Sequence, residues 1–186
     1  MKEIALLRIA LVGVGAPATC AVLIAHAAAT APVPAACATP EAMQFDFWLG
    51  TWDLRWKNAD GTGGNGRNRI ERALDGCVIV ENFESFQPEA GAPALRGLSV
   101  STWDPRAAQW KQTWVDNTGA YLDFVGGWRD GRMVLARNEE HNGKRSMQRM
   151  VFRDIGADTL VWDWQSSTDS GATFTTQWQI EYRRAK

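Results

Sequence analysis

From Thr51 onward the chain is cut nine times by turn signals: Asp60-Gly61 through Gly66, Asp75-Gly76, Pro88 to Pro93, Asp104-Pro105, Asn117-Thr118-Gly119, Asp130-Gly131, Asn142-Gly143, Gly156-Ala157-Asp158 and Asp169-Ser170-Gly171. Glycine admits positive φ, proline presets a turn dihedral, and Asn or Asp bonds back to its own backbone, so each cluster ends regular structure. Between them lie ten short runs, at 51–57, 67–74, 77–86, 96–103, 109–116, 120–128, 132–139, 145–153, 159–166 and 173–183. Several alternate apolar and polar residues strictly, the period of a strand with one buried face. Connections of hairpin length make sequence neighbours antiparallel. A ten-stranded meander with one apolar face either closes or must protect two edges, and closure removes both. The expectation is an all-β, ten-stranded antiparallel up-and-down β-barrel in a single domain spanning 39–186, with an open or sandwiched sheet as the alternative.

Residues 45–56, Phe-Asp-Phe-Trp-Leu-Gly-Thr-Trp-Asp-Leu-Arg-Trp, hold three of the ten tryptophans. After Gly50, Trp52, Leu54 and Trp56 share one parity, as in a half-buried strand. Before it, Phe45, Trp48 and Leu49 stand at i, i+3 and i+4 behind Thr39-Pro40-Glu41, an N-cap candidate, a first-turn proline and an acid. The spacing predicts a short helix plugging one barrel end, a glycine stop and the first strand.

The N-terminus predicts a secretory signal peptide over residues 1–29: Lys2 and Arg8 precede an Ala/Val/Leu/Ile/Gly run to Ile24, and Ala25-His26-Ala27 and Ala27-Ala28-Ala29 are small-x-small cleavage patterns. Gly13, Gly15, Pro17 and Thr19 interrupt a run barely long enough to span a membrane, so an uncleaved anchor is the weaker reading. A lipoprotein anchor on Cys20 or Cys37 is a minor alternative. Residues 30–38 read as an Ala/Pro/Thr-rich linker. Removing Lys2, Arg8 and Glu3 leaves 18 basic against 20 acidic side chains, a net charge of −2. Without a basic stripe or an acidic tail, nucleic acid and anionic membrane are poor partners, and no stable membrane insertion is expected once the signal is gone. Export leaves two cysteines, Cys37 and Cys77, and an even count in an oxidising compartment favours a disulfide. Two thiols and one histidine make a metal site unexpected, and no cofactor is expected.

Signatures of catalysis are sparse. The chain carries no Gly-x-Ser-x-Gly elbow, no phosphate-cradling glycine loop followed by lysine and no histidine pair, and His141 sits at a hairpin tip. More informative are polar residues on faces that otherwise carry large apolar side chains. Gln112 and Asp116 share a face with Trp110 and Trp114, Glu81 with Cys77, Ile79 and Phe83, Arg149 with Met147 and Val151, and Ser166 with Trp162 and Trp164. A buried polar group costs a few kcal/mol unless bonded, so such residues pair with one another, hold water or meet a ligand. Aromatic walls with a few convergent polar groups describe a small-molecule site. The candidate ligand-binding residues are therefore Glu81, Trp110, Gln112, Trp114, Asp116, Arg149, Trp164 and Ser166. Turn-proximal Trp103 and Trp128 could instead line a rim suited to stacking on sugar rings.

With its helix, Gly50-Thr51-Trp52 and ten-strand meander, the chain resembles the calycin-like barrels, the group of lipocalins, fatty-acid-binding proteins and nitrobindin-type haem barrels. That resemblance implies that an arginine from the last strand packs over Trp52. Arg184 shares the parity of Trp178, Ile180 and Tyr182 and fits the role. Phe45-to-Trp52, Gly76-Cys77 with Glu81, Trp110-x-Gln112-x-Trp114-Val115-Asp116 and Trp164-x-Ser166-x-x-Asp169-x-Gly171 together resemble a family of secreted bacterial domains of unknown function, over residues 37–184. Nitrobindin-type barrels hold haem through a C-terminal histidine, and this sequence has none there. The sequence therefore reads as an exported, non-enzymatic barrel binding a small, partly apolar molecule in a Trp-rich interior. The alternatives are an enzyme with a buried carboxylate base and a carbohydrate-binding module on rim tryptophans.

Overall fold

A computed structural model describes residues 37–86, 93–141 and 143–186. The expected signal peptide (1–29) and most of the expected linker (30–38) lie outside the described residues. Two consecutive 3-10 turns, Glu41–Met43 and Asp46–Trp48, precede ten strands: β1 (Gly50–Lys57), β2 (Gly63–Ala73), β3 (Val78–Ser85), β4 (Arg96–Asp104), β5 (Gln109–Asp116), β6 (Tyr121–Arg129), β7 (Arg132–His141), β8 (Lys144–Arg153), β9 (Thr159–Ser167) and β10 (Thr175–Arg184). Every strand pairs antiparallel with its sequence neighbours, and β1 pairs with β10, Trp52 opposite Arg184 and Trp56 opposite Ile180, so the barrel is closed. The expected helix is present as 3-10 turns. Pro40 takes the N-cap position of the first turn, and Thr39, one residue earlier, accepts from the Ala42 amide through Oγ1 at 3.3 Å.

The turns seal one barrel end. Phe45 and Trp48 are buried there among Trp110, Phe152 and Phe47, with Phe45 edge-on to Trp110 at 4.8 Å and Trp48 edge-on to Phe152 at 5.0 Å. Trp52, fully buried, donates Nε1 to the Trp48 carbonyl at 2.7 Å, tying the plug to β1. The Arg184 guanidinium lies over the Trp52 ring at 4.2 Å and donates Nη1 to Leu49 O at 2.8 Å. Gly50 between them has φ +114°, and a Cβ there would stand 2.7 Å from Arg184 Nη1, so both conformation and space demand glycine. A Cys37–Cys77 disulfide fastens the preceding segment beside the start of β3, and Arg72 adds an ion pair to Asp46.

β2 begins at Gly63, four residues before the expected 67, because Gly64 and Gly66 look like loop residues in sequence. They are strand residues kept small by their neighbours: Trp56 sits opposite Gly64 and its indole occupies the space a Cβ would need there, while at Gly66 a Cβ would meet the Glu84 carbonyl oxygen. Trp114 lies against Gly97 in the same way, whereas at Gly126, opposite Trp110, a Cβ would meet the Val134 carbonyl of β7. Large indoles fit inside this barrel because facing strands present glycine. The other departure is in β10, where an irregularity between Thr176 and Trp178 resets the parity. Phe174 and Thr176 therefore do not share the face of Trp178, Ile180 and Tyr182, and the bulge aims Trp178 inward.

Candidate functional site

Above the plug the interior is not filled. A cavity of about 190 Å³ is bounded at the plug end by Trp48 and Phe152 and reaches Leu95, Asp116 and Leu122 beside the opposite strand ends. Its wall is a run of aromatic contacts. Trp114 meets Phe83 at 6.0 Å, Phe83 meets Trp178 at 6.1 Å, Trp178 meets Trp162 at 5.7 Å, Trp162 stacks on Trp164 at 6.3 Å and Trp164 meets Phe124 at 5.7 Å. β3, β5, β6, β9 and β10 each supply members because their inward parity falls on these residues.

Three groups interrupt the apolar wall. Glu81, 6% exposed, accepts from Asn68 Nδ2 and from Ser99 Oγ, each at 2.6 Å. Burial pushes its carboxyl up to about 7, against those two hydrogen bonds, which favour the ionised form. Asn68 also donates to Tyr182 Oη at 3.1 Å, and burial together with the neighbouring Glu81 charge pushes that phenol upward. Gln112 donates Nε2 to Ser101 Oγ at 2.9 Å, and its Oε1 has no side-chain or backbone donor among the described residues. Asp116 is committed elsewhere: Oδ1 accepts from Thr118 N, Thr118 Oγ1 and Ala120 N, and Oδ2 from Trp114 Nε1 at 3.0 Å. Although partial burial opposes it, this donor set, led by the Thr118 hydroxyl, holds the Asp116 carboxyl below its usual range. It braces the β5–β6 turn and orients Trp114.

Of the eight candidate residues, Glu81, Gln112, Trp114, Asp116 and Trp164 line the cavity. Trp110 does not. It is packed in the core against Phe45 and Trp103, and its Nε1 has no hydrogen-bond partner among the described residues. Ser166 lies beyond Trp164 toward the strand end, accepting from Gln177 Nε2 at 3.0 Å. Arg149 is on the outer surface, because β8 turns Gln148, Met150 and Phe152 inward and the residues between them outward. There its guanidinium lies 3.5 Å over the Phe174 ring and donates to Gln165 Oε1 at 2.6 Å. It is no anchor for an interior ligand. The outer face also holds Asp163, buried under Arg153 and Gln179, which donate to it at 2.7 and 2.9 Å.

Sequence reading missed Phe83, Trp162, Trp178 and Tyr182 as cavity residues. The signal was available: Phe83 stands two residues from Glu81, and Trp162 two from Trp164. Trp103 and Trp128 sit at the plug end, Trp103 against Trp110 and Trp128, 40% exposed, against Phe47, beside a groove shared with Gln44 and Arg129. Among the described residues no group of His, Cys, Asp and Glu could hold a metal ion, and no helix is long and apolar enough to cross a membrane.

No family model matches the chain, and no curated protein matches it. Among solved structures it is similar to designed β-barrels. A de novo designed fluorescence-activating β-barrel is 15% identical at TM-score 0.41, with 75% of this chain and 95% of that chain covered. A redesigned β-barrel is 9% identical at TM-score 0.42, covering 77% and 96%. The protein EF1p2_mFAP2b, bound to DFHBI, is 10% identical at TM-score 0.39, covering 76% and 97%. Likenesses of this degree say nothing of what this chain binds.

Proposed function

We propose that this protein is an exported, calycin-like barrel that binds one small, largely apolar molecule in its interior without transforming it. The supporting observation is the cavity. About 190 Å³ of the interior is left unfilled behind largely apolar walls, where a folded chain ordinarily packs to close density. A chain this rich in tryptophan has the volume to fill that space, and its packing at the plug end shows it doing so. The size sets the ligand: apolar cavities of about 150 Å³ admit benzene, so one ring with a short substituent fits here. Export rests on the N-terminal signal pattern, and the Cys37–Cys77 disulfide suits an oxidising compartment.

The test is thermal unfolding with ethylbenzene as probe. Saturation to about 100 times Kd stabilises by about 2.7 kcal/mol. Leu122→Trp, which places an indole in the cavity beside its outer end, abolishes the effect. A wild-type melting temperature unmoved by every single-ring probe, neutral or charged, refutes the reading.

One observation favours a second reading. A carboxyl held near pH 7 and facing a cavity has the properties of a general base. Hydrolysis of a small aryl ester that follows a titration near pH 7, and that Glu81→Gln abolishes, would establish it.

A further inference from the structure

The ionisable groups lining the cavity are all acids or a phenol: Glu81, Asp116 and Tyr182. Among the described residues, no Lys, Arg or His lines it. Asp116 is saturated by its own turn, so Glu81 is the carboxylate with capacity to spare. Each of its oxygens accepts one neutral hydrogen bond and no ion pair, whereas buried carboxylates ordinarily have a cationic partner. Trp114, Trp162, Trp164 and Trp178 line the same cavity, and their π-systems attract positive charge.

Building on the reading of the cavity as a binding site, we propose that the molecule it takes is an organic cation, a small amine or quaternary ammonium compound, with Glu81 as its counter-ion and the indole faces as its cage. The charge pattern excludes carboxylate ligands such as fatty acids, which would meet two acids and no base. Hydrocarbon parts of the ligand rest on Met150, Leu122 and Ile180, and Gln112 Oε1 is an acceptor available to an ammonium N–H.

The pairing is pH-dependent, because Glu81 must be ionised to act as counter-ion. Its surroundings come from every adjoining strand: Asn68 on β2, Ser99 on β4 and Tyr182 on β10 face it, none of them cationic, and Asp116 is the other acid of the same cavity. Burial holds the Glu81 carboxyl near 7, whereas an alkyl ammonium, like that of lysine, stays charged well above this. A bound cation therefore draws the Glu81 proton off, and affinity for a cation rises from pH 5.5 to pH 8.

Three probes of similar size separate the cases: benzylammonium, its neutral counterpart ethylbenzene, and benzoate. Calorimetry at pH 8 on the full exported protein should find benzylammonium at least tenfold tighter than ethylbenzene and benzoate weakest. Benzylammonium affinity should fall at least fivefold at pH 5.5, while ethylbenzene affinity does not change. Glu81→Gln should reduce benzylammonium affinity to the level that ethylbenzene shows on the wild type. Ethylbenzene binding as tightly as benzylammonium to the wild type, or benzylammonium affinity independent of pH, overturns the cation proposal while leaving the binding cavity standing. Failure of all three probes overturns the binding reading itself. The wild-type pH comparison needs no variant, so a Glu81→Gln protein that does not fold leaves the test intact.

Discussion

Replacing Glu81 by glutamine should stabilise the protein at pH 8. The carboxyl is raised from its ordinary value of 4.5 to about 7, so between those values the folded state holds a proton that the unfolded chain has released. Stability from this group is present in full below pH 4.5 and is lost as pH rises through 7. A difference of about two and a half pH units at about 1.36 kcal/mol per unit amounts to about 3 kcal/mol. Glutamine is isosteric and keeps both contacts, its oxygen accepting from Asn68 and its amide donating to Ser99 Oγ, so the charge is removed without a cavity or an orphaned donor. Urea unfolding at pH 5, 6, 7 and 8 reads the difference between the two proteins: small at pH 5 and growing to about 2–3 kcal/mol in favour of the variant at pH 8. Because both proteins share every other titrating group, the difference isolates Glu81. A difference that does not vary with pH, or a variant less stable than the wild type at pH 8, would refute the claim that an unpaired carboxyl is buried beside the cavity.

Trp52→Ala should cost about 3–5 kcal/mol, since it empties a fully buried volume beneath Arg184 and orphans the Trp48 carbonyl, and chemical denaturation measures it. Reducing the Cys37–Cys77 bridge, which closes a separation of 40 residues, should lower unfolding free energy by about 2–4 kcal/mol, compared with and without reductant. Gln112→Leu should cost about 1–3 kcal/mol because buried Ser101 loses its partner, and urea unfolding checks it. Arg149→Gln, on the outer surface, should leave calorimetric affinity for any cavity ligand unchanged; a tenfold loss would return Arg149 to the site.

The strand count and closure were legible because turn chemistry and period-two alternation are local properties: Asp75-Gly76 or Asp130-Gly131 breaks a strand wherever it occurs. Trp52 could be read as core for the same reason, its neighbours at i+2 and i+4 being apolar. The sequence alone did not determine which face of a strand points inward when both faces carry apolar and polar residues. On β8, Met147, Arg149 and Val151 on one face are as mixed as Gln148, Met150 and Phe152 on the other, and only the pairing with β7 and β9 turned Met150 to the cavity and Arg149 to Phe174 and Gln165. The bulge before Trp178 shifted one face of β10 by a residue, which no local pattern announced. Gly64 and Gly66 of β2 read as loop because their reasons for being small lie on other strands, the Trp56 indole for Gly64 and the Glu84 carbonyl for Gly66. Tertiary structure likewise decided that Asp116 is spent on its own turn whereas Glu81 is not, because hydrogen-bond partners arrive through folding from residues distant in sequence, Asn68 and Ser99 for Glu81. The cavity is the same kind of quantity: its volume is what the inward side chains of ten strands leave over, and no single strand carries it.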